Sequence, residues 1–385
     1  MELDHHIEQY FQRRYTNDEI LAVLAEVHGV VLSKRTLERI LREKRLWRRK
    51  GKTDVAEVAA FIEAQLQTSG QCHGYRWMYQ KCWINGIITD RETVRVLLRL
   101  LDSEGVDLRS RNRLRRRVYH SRGPNYVWHI DGYDKLKPYG ICISGCIDGF
   151  SRRLIWLEAY KTNNDPNVIA GYFMDAVLIA QGCPERLRVD LGTENVRLAE
   201  MQRFMHFSEG QLEIEHVTFG PSTGNQRIER WWLTLRSQCA QFWMDFFDKL
   251  KSDGYFADTF LDKSLVQFCF LSTIQAELEE VAFIWNEHRM RRVHNSRSPH
   301  GRPSIIHAVP QLYGATDYLY RPSLEKIEAC LGECVYKDFP CDEDVFHICV
   351  GLMSEHGLEL TNDVYKTVDL YVRLRQLINN ELLQP

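Results

Sequence analysis

Three of the chain's 52 acidic residues occupy places where a carboxylate can do more than solvate a surface. Asp131 ends a strand-like run in HIDGYD, Asp190 ends another in RVDLGTEN, and Glu229 falls in the first turns of a helix entered through GNQRIERWW. Carboxylates at strand ends and on an adjoining helix can converge at one edge of a sheet. Such a cluster of like charges is unfavourable unless something cationic neutralises it. Hard divalent ions do so through oxygen ligands, and magnesium takes one or two carboxylates together with substrate phosphate. Two such ions about 4 Å apart can activate an attacking oxygen and stabilise a leaving one. Composition alone does not separate these three acids from the other 49. Two other patterns compete for attention. Gly220-Pro221-Ser222-Thr223-Gly224 fits G-x-S-x-G between a strand and a helix, the setting of a hydrolase nucleophile, with His288 and His294 downstream as bases. Cys330, Cys334, Cys341, His347 and Cys349 offer zinc-binding atoms, but their spacing is unlike structural zinc sites, and core thiols are the simpler reading.

The elements that would position the acids begin at Asn125. YVWHIDGYD, YGICISGCIDG and SRRLIWLEAY read as three strands joined by glycine-containing turns. DPNVIAGYFMDAVLIAQG reads as a helix with Pro166 in its first turn. A short strand (ERLRVD), a helix (NVRLAEMQRFMHF) and another strand (LEIEHVTFG) follow, then a long helix over 224–250 and helical sequence over 256–290. Three strands followed by alternating helix and strand predict a mixed α/β layer architecture.

Upstream, Ile20, Leu21, Leu24 and Val27 repeat at helical spacing, Gly29 breaks the repeat, and Ser33 can cap a second helix carrying Leu37, Ile40 and Leu41 on one face. Lys34, Arg35, Arg39 and Arg42 lie on its other faces. Helix, glycine turn and basic second helix form the helix-turn-helix pattern. Residues 55–108 repeat the plan weakly, with TDRETVRVLLRLLDSEG as the second helix and Arg91 and Arg95 on it. Residues 109–122 hold seven arginines, Arg113, Arg115, Arg116 and Arg117 among them, and no acid. Such a block repels itself and reads as a linker that meets phosphates.

The bulk numbers agree with this division. Residues 1–125 carry 24 Lys and Arg against 16 Asp and Glu, and the remainder 26 against 36. A basic front and an acidic back suggest that the front meets a polyanion. Hydrophobic residues make up 44% and charged residues 26% of 385, which is ordinary globular chemistry. No apolar run approaches the ~18 residues of a membrane span, no signal peptide is evident, and eleven cysteines without a C-x-x-C pair fit reduced thiols in an intracellular protein with no membrane partner.

Four motifs in order carry a family resemblance. GPNYVWHIDGYD and ISGCIDGFSRRLIWLEA resemble the opening strand and hairpin of the DDE integrase/transposase superfamily; RVDLGTEN is similar to its second-acid motif and FGPSTGNQRIERWW to its third-acid helix. The 58 residues between Asp131 and Asp190, and the 38 between Asp190 and Glu229, suit that pattern. GYRWMYQKCWINGI with TVRVLLRLL resembles the second helix-turn-helix of insertion-sequence transposases, and IWNEHRMRRVHNSRSPHGRPSIIHA the family's closing segment. Leu191 and Gln226 depart from the family's usual Asn and Gly. The resemblance implies helix-turn-helix units (1–52 and 53–108), a basic linker (109–124), an RNase H-like mixed-sheet catalytic core (125–312) and a C-terminal region (313–385) of no evident role. It implies Asp131, Asp190 and Glu229 as catalytic metal ligands for Mg2+ or Mn2+, in all two ions, and DNA cutting and joining. It further implies DNA and further copies of the chain as partners, in the nucleus of a eukaryote or the nucleoid and cytoplasm of a bacterium. A plain nuclease, or a DNA-binding regulator without chemistry, are the alternatives.

Overall fold

A computed structural model describes residues 2–47, 51–103, 106, 121–208, 215–220, 224–292 and 298–382. Its backbone divides into two compact units, one made of residues 1–126, 149–153 and 283–318, the other of 127–148, 154–282 and 319–385.

The first unit is helical. α1 (Glu2–Gln12), α2 (Asn17–His28) and α3 (Lys34–Glu43) close over one core in which Ile7, Ile20, Leu24 and Leu37 are fully buried, together with Ile305 of a later short helix, Pro303–Ala308. The starts and stops follow local chemistry. Thr16 and Glu19 form a reciprocal capping box at the head of α2, Gly29 takes φ 65° to end it, and the Ser33 hydroxyl accepts from the Thr36 N–H to open α3. α4 (Val55–Leu66), α5 (Tyr75–Ile84) and α6 (Arg91–Leu101) build a second core on Val58, Ile62, Met78, Cys82 and Val94. The Asp90 carboxylate caps α6, accepting from the Thr93 N–H at 2.9 Å. α1 lies outside the sequence expectation: its apolar Ile7, Tyr10 and Phe11 are diluted by histidines and acids, and no capping residue announces it.

The second unit carries the sheet. β1 (Val127–Tyr133), β2 (Cys142–Asp148) and β3 (Leu154–Tyr160) form an antiparallel meander, and β4 (Arg186–Val189) and β5 (Val217–Phe219) add in parallel on the far side of β1, giving the order β3-β2-β1-β4-β5. β1 is therefore central, with Asp131 opposite Gly145 of β2 and Trp128 beside Leu187 of β4. α7 (Pro166–Ala180) and α8 (Val196–His206) pack on each other, and the Phe173 ring of α7 meets Trp128 edge-on. The helix expected over 224–250 is broken in register: α9 (Gln226–Leu235) and α10 (Gln241–Ser252) flank one π turn, Arg236–Ala240. α11 runs Phe260–Glu287. With the short Pro303–Ala308 helix as α12, the chain ends in α13 (Leu324–Leu331), α14 (Glu343–His356) and α15 (Val364–Leu382). Tyr371 of α15 is fully buried beside Phe270, and Arg375 pairs at 2.6 Å with the buried Asp262, so this tail belongs to the unit's core.

Ten cysteines among the described residues are free thiols and nine are buried. Cys330, Cys341 and Cys349 are core residues whose thiols burial pushes up.

His307 of α12 is half-buried. Burial, then the Arg153 guanidinium, hold it well below the usual imidazole range; its Nδ1 lies 3.3 Å from Arg153 and its Nε2 3.1 Å from Asn125 Oδ1. A histidine depressed on folding stabilises the fold fully above its unfolded pKa of about 6.5 and loses that contribution as pH falls, at up to ~1.4 kcal/mol per pH unit. The urea midpoint of the first unit's transition should drop between pH 7.5 and 5. His307→Gln should be less stable at pH 7.5 but flatter with pH; an unchanged pH slope would refute the assignment.

Candidate active site

β1 displays its side chains alternately. Trp128 turns toward α7; His129, Asp131 and Tyr133 turn toward α9. Each of the last three is met there. The His129 ring nitrogen Nδ1 lies 2.7 Å from Asn225 Oδ1, the Trp232 indole donates to Asp131 Oδ2 at 2.8 Å, and the Tyr133 and Trp232 rings stand 5.2 Å apart. Asn225 is the residue at which α9 begins, and an asparagine there ordinarily caps its own helix. Here the amide is spent on the strand: besides His129 it donates from Nδ2 to the Ile130 carbonyl at 2.7 Å, and it caps nothing. The head of α9 is thereby tied to the middle of β1, and Glu229 sits one turn further along. Gly145, opposite Asp131, makes room for the joint: a Cβ there would lie 2.6 Å from the Trp232 ring.

Asp190 follows the last residue of β4. Its Oδ1 accepts from Asn195 Nδ2 at 2.6 Å and from the Gly192 N–H at 3.4 Å. Asn195 is buried and also donates to Glu194 at 3.2 Å. The loop is tight enough that a Cβ on Gly192 would strike the Glu194 carboxylate.

Asp131, Asp190 and Glu229 are all half-buried and lie within one another's field. Burial pushes the Asp131 carboxyl up to about 7, with the charges of Glu229 and Asp190 adding to it and the Trp232 hydrogen bond opposing. Glu229 is raised by burial and then by Asp190. Glu194 is raised by burial, with Asp190 again adding. A set of oxygen donors that resist holding their charges together is the donor chemistry a hard divalent cation satisfies, so these residues fit the metal the sequence suggested. The other acids nearby stand apart. Asp134 is exposed and pairs with Lys137 at 3.2 Å and Asn163 at 2.7 Å; Asp148 is fully buried at the end of β2.

The one group of three among the described residues whose donor atoms lie within 4.8 Å of one another is elsewhere: Glu185, His206 and His216. Its histidine rings are stacked at 3.9 Å and 16°. Imidazoles bind metals along in-plane lone pairs, and nearly parallel rings cannot aim two of those at one ion. His206 already sits 2.9 Å from the Pro184 carbonyl, and burial lowers it to about 4. In this conformation the group is a packed aromatic pair, and Tyr320 extends the stack at 4.2 Å.

The candidate DNA contacts belong to the first unit. Lys34, Arg35, Arg39 and Arg42 are exposed on α3, with Lys34 paired to Asp18 and Arg39 to Glu43. Arg91 lies over the Tyr79 ring at 5.4 Å, and Arg95 pairs with Glu92. Arg113, Arg115, Arg116 and Arg117 fall outside the described residues, as do Ser222 and His294 of the hydrolase pattern. Trp232, His129 and Asn195, which hold or flank the acids, carry no motif of their own in the sequence. The alternation of β1 was the available signal that His129 shares a face with Asp131.

Residues 118–302 match the family model of the integrase core domain. The chain carries an integrase core. With its five-stranded mixed sheet, this places it in the DDE integrase/transposase superfamily and gives the core an RNase H-like α/β fold. A comparison with curated proteins gives no match. No helix among the described residues of this integrase-core protein is long and apolar enough to cross a membrane.

Gly145→Ala tests the joint between α9 and the sheet. The added methyl forces the Trp232 ring off β2 and loosens its hold on Asp131. Overpacking of this kind costs about 1–3 kcal/mol, read as a lower urea midpoint, and quenching of the altered indole environment should change with it. Wild-type stability would show that the joint yields without strain.

Proposed function

We propose that the chain is a DNA-binding polynucleotidyl transferase, which cuts and joins DNA strands by divalent-metal-dependent phosphoryl transfer at Asp131, Asp190 and Glu229. The observation that carries this reading is the meeting of three half-buried carboxylates in one field, with Asp131 pushed up to about 7, inside an integrase core. Two Mg2+ or Mn2+ ions held there would neutralise the phosphate and stabilise the entering and leaving oxygens. The chain's own residues do the positioning. Trp232 fixes one oxygen of Asp131, Asn195 fixes one of Asp190, and Asn225 holds the turn of α9 that presents Glu229. Phosphoryl transfer asks mainly for such positioning and charge neutralisation.

DNA is the substrate this reading requires. The exposed Lys34, Arg35, Arg39 and Arg42 on α3 are the contacts we assign first, with residues 1–52 as a helix-turn-helix unit and 53–108 as a second carrying Arg91 and Arg95. Arg113, Arg115, Arg116 and Arg117 of the 109–124 linker add phosphate contacts. Residues 125–312 act as the catalytic core and 313–385 complete its packing. Joining two ends calls for more than one copy of the chain, working where DNA is: a nucleus or a nucleoid.

The test is strand transfer with duplexes taken from the sequence flanking the gene, in Mg2+ or Mn2+. Wild type should give joined products. Glu229→Gln should give at least about 100-fold less, since disturbing even an outer partner of a metal ligand costs 10–100-fold, and chelation should abolish the products. Cleavage without joining would make the protein a nuclease of the same fold. Equal DNA binding by both proteins with no cleavage by either would make it a DNA-binding regulator and end the catalytic reading.

A further inference from the structure

The first unit holds a half-open hollow of about 670 Å³, within the ~300–1,000 Å³ of small-molecule sites and unlike the flat stripe that a duplex backbone needs. Its lining is unbalanced in charge. Arg14 and Thr16 come from the turn between α1 and α2, and Arg76, Trp77 and Gln80 from the first turns of α5. Arg91 opens α6, Arg289, Arg291 and Arg292 follow α11, and Arg302 precedes α12. No carboxylate among the described residues lines it. Some of these guanidinium groups are committed: Arg302 reaches the Arg14 carbonyl at 2.6 Å and Glu19 at 3.4 Å, while Arg14 and Arg91 lie over the Tyr79 ring at 5.0 and 5.4 Å. Arg289, Arg291 and Arg292 are exposed and have no acidic partner among the described residues. Concentrating so much like charge around one hollow opposes folding unless an anion answers it.

A second observation is independent of charge. The Trp77 indole N–H and the Gln80 amide nitrogen, both in the lining, are buried without a hydrogen-bond partner. Donors in that state cost free energy until an acceptor arrives. Guanidinium forks match phosphate oxygens, and an aromatic wall beside them matches the face of a base. A phosphate ion alone would leave the aromatic side of the cavity bare.

We propose that this cavity holds one nucleotide, its phosphate on the guanidinium groups of Arg76 and Arg289 and its base against Trp77. The site lies in the unit that does not carry the acids, and its occupancy requires neither Glu229 nor a metal ion. It is distinct from the α3 surface assigned to duplex DNA, which offers exposed cations without a hollow or an aromatic wall. The nucleotide is either free or an unpaired residue of a DNA strand, the chemistry at the wall being the same.

The experiment uses the full chain in excess chelator, so that cleavage and the fate of the catalytic reading do not enter. Anisotropy reads binding of a labelled single strand of ten nucleotides and of the matching blunt duplex; calorimetry reads binding of dAMP and of inorganic phosphate. Paired substitution of exposed cations, Arg76→Ala with Arg289→Ala, should weaken single-strand binding about tenfold or more while leaving thermal melting unchanged. The pair Arg35→Ala with Arg42→Ala should instead weaken the duplex. Trp77→Leu should weaken nucleotide and single strand by about 5–150-fold, the span of a lost stacking contact, and leave inorganic phosphate unaffected. Saturation by dAMP with the same sensitivities assigns the site to free nucleotide; saturation by the strand alone assigns it to an unpaired residue of DNA. Two results overturn the proposal. One is equal weakening of single strand by both arginine pairs, which is general electrostatics. The other is binding of dAMP and strand that ignores Arg76, Arg289 and Trp77, or the lack of any such binding.

Discussion

Three carboxylates held half-buried in each other's field are an arrangement that folding by itself opposes, and much of the second unit is what keeps them there. Burial and neighbouring charge raise Asp131 to about 7, a differential cost of several kcal/mol between its charged and neutral forms by the usual 1.4 kcal/mol per pKa unit. The opposing contributions are specific. Trp232 donates to Asp131 and Asn195 to Asp190. Asn225 abandons the head of its own helix to lock β1 through His129 and the Ile130 carbonyl. β1 is the central strand: it pairs with β4 over Val127–His129 and with β2 through Asp131, opposite Gly145. Asp131 and Glu229 thus stand on regular elements, and Asp190 directly follows one.

The pieces of this design differ in how far the sequence discloses them. The strands were legible because a period of two in YVWHIDGYD and SRRLIWLEAY leaves few alternatives. Of the described residues of LEIEHVTFG, Val217–Phe219 form β5. The single helix over 224–250 conceals a π turn at Arg236–Ala240, since one added residue in a turn leaves an apolar pattern readable on both sides. The tail beyond 313 gave no signal, yet it folds into three helices, one bearing the fully buried Tyr371. Its apolar residues are sparse because it covers an existing core with one face. The partners of the acids were out of reach for a different reason. Trp232 lies 101 residues from Asp131 and Asn225 96 from His129, and such pairings follow from register, which no local pattern encodes.

The basic residues divide in the same way. Lys34, Arg35, Arg39 and Arg42 announce themselves by clustering on one helix. Arg76, Arg289 and Trp77 do not, because the hollow they share is assembled from segments more than 200 residues apart. A local run of charge and a converged pocket of charge differ physically. The run can spread its field into solvent and counterions, whereas the pocket converges it on one hollow, where an anion's shape decides how many guanidinium groups it meets.

The proposed chemistry requires Asp131, Asp190 and Glu229 to act as one metal-binding group. Its most direct measurement is Mn2+ binding to the full chain, followed by electron paramagnetic resonance. Saturable binding is predicted for the wild type, weakened at least about tenfold in Asp131→Asn and retained in His216→Ala. Equal binding by wild type and Asp131→Asn, or binding that depends on His216 instead, would contradict it.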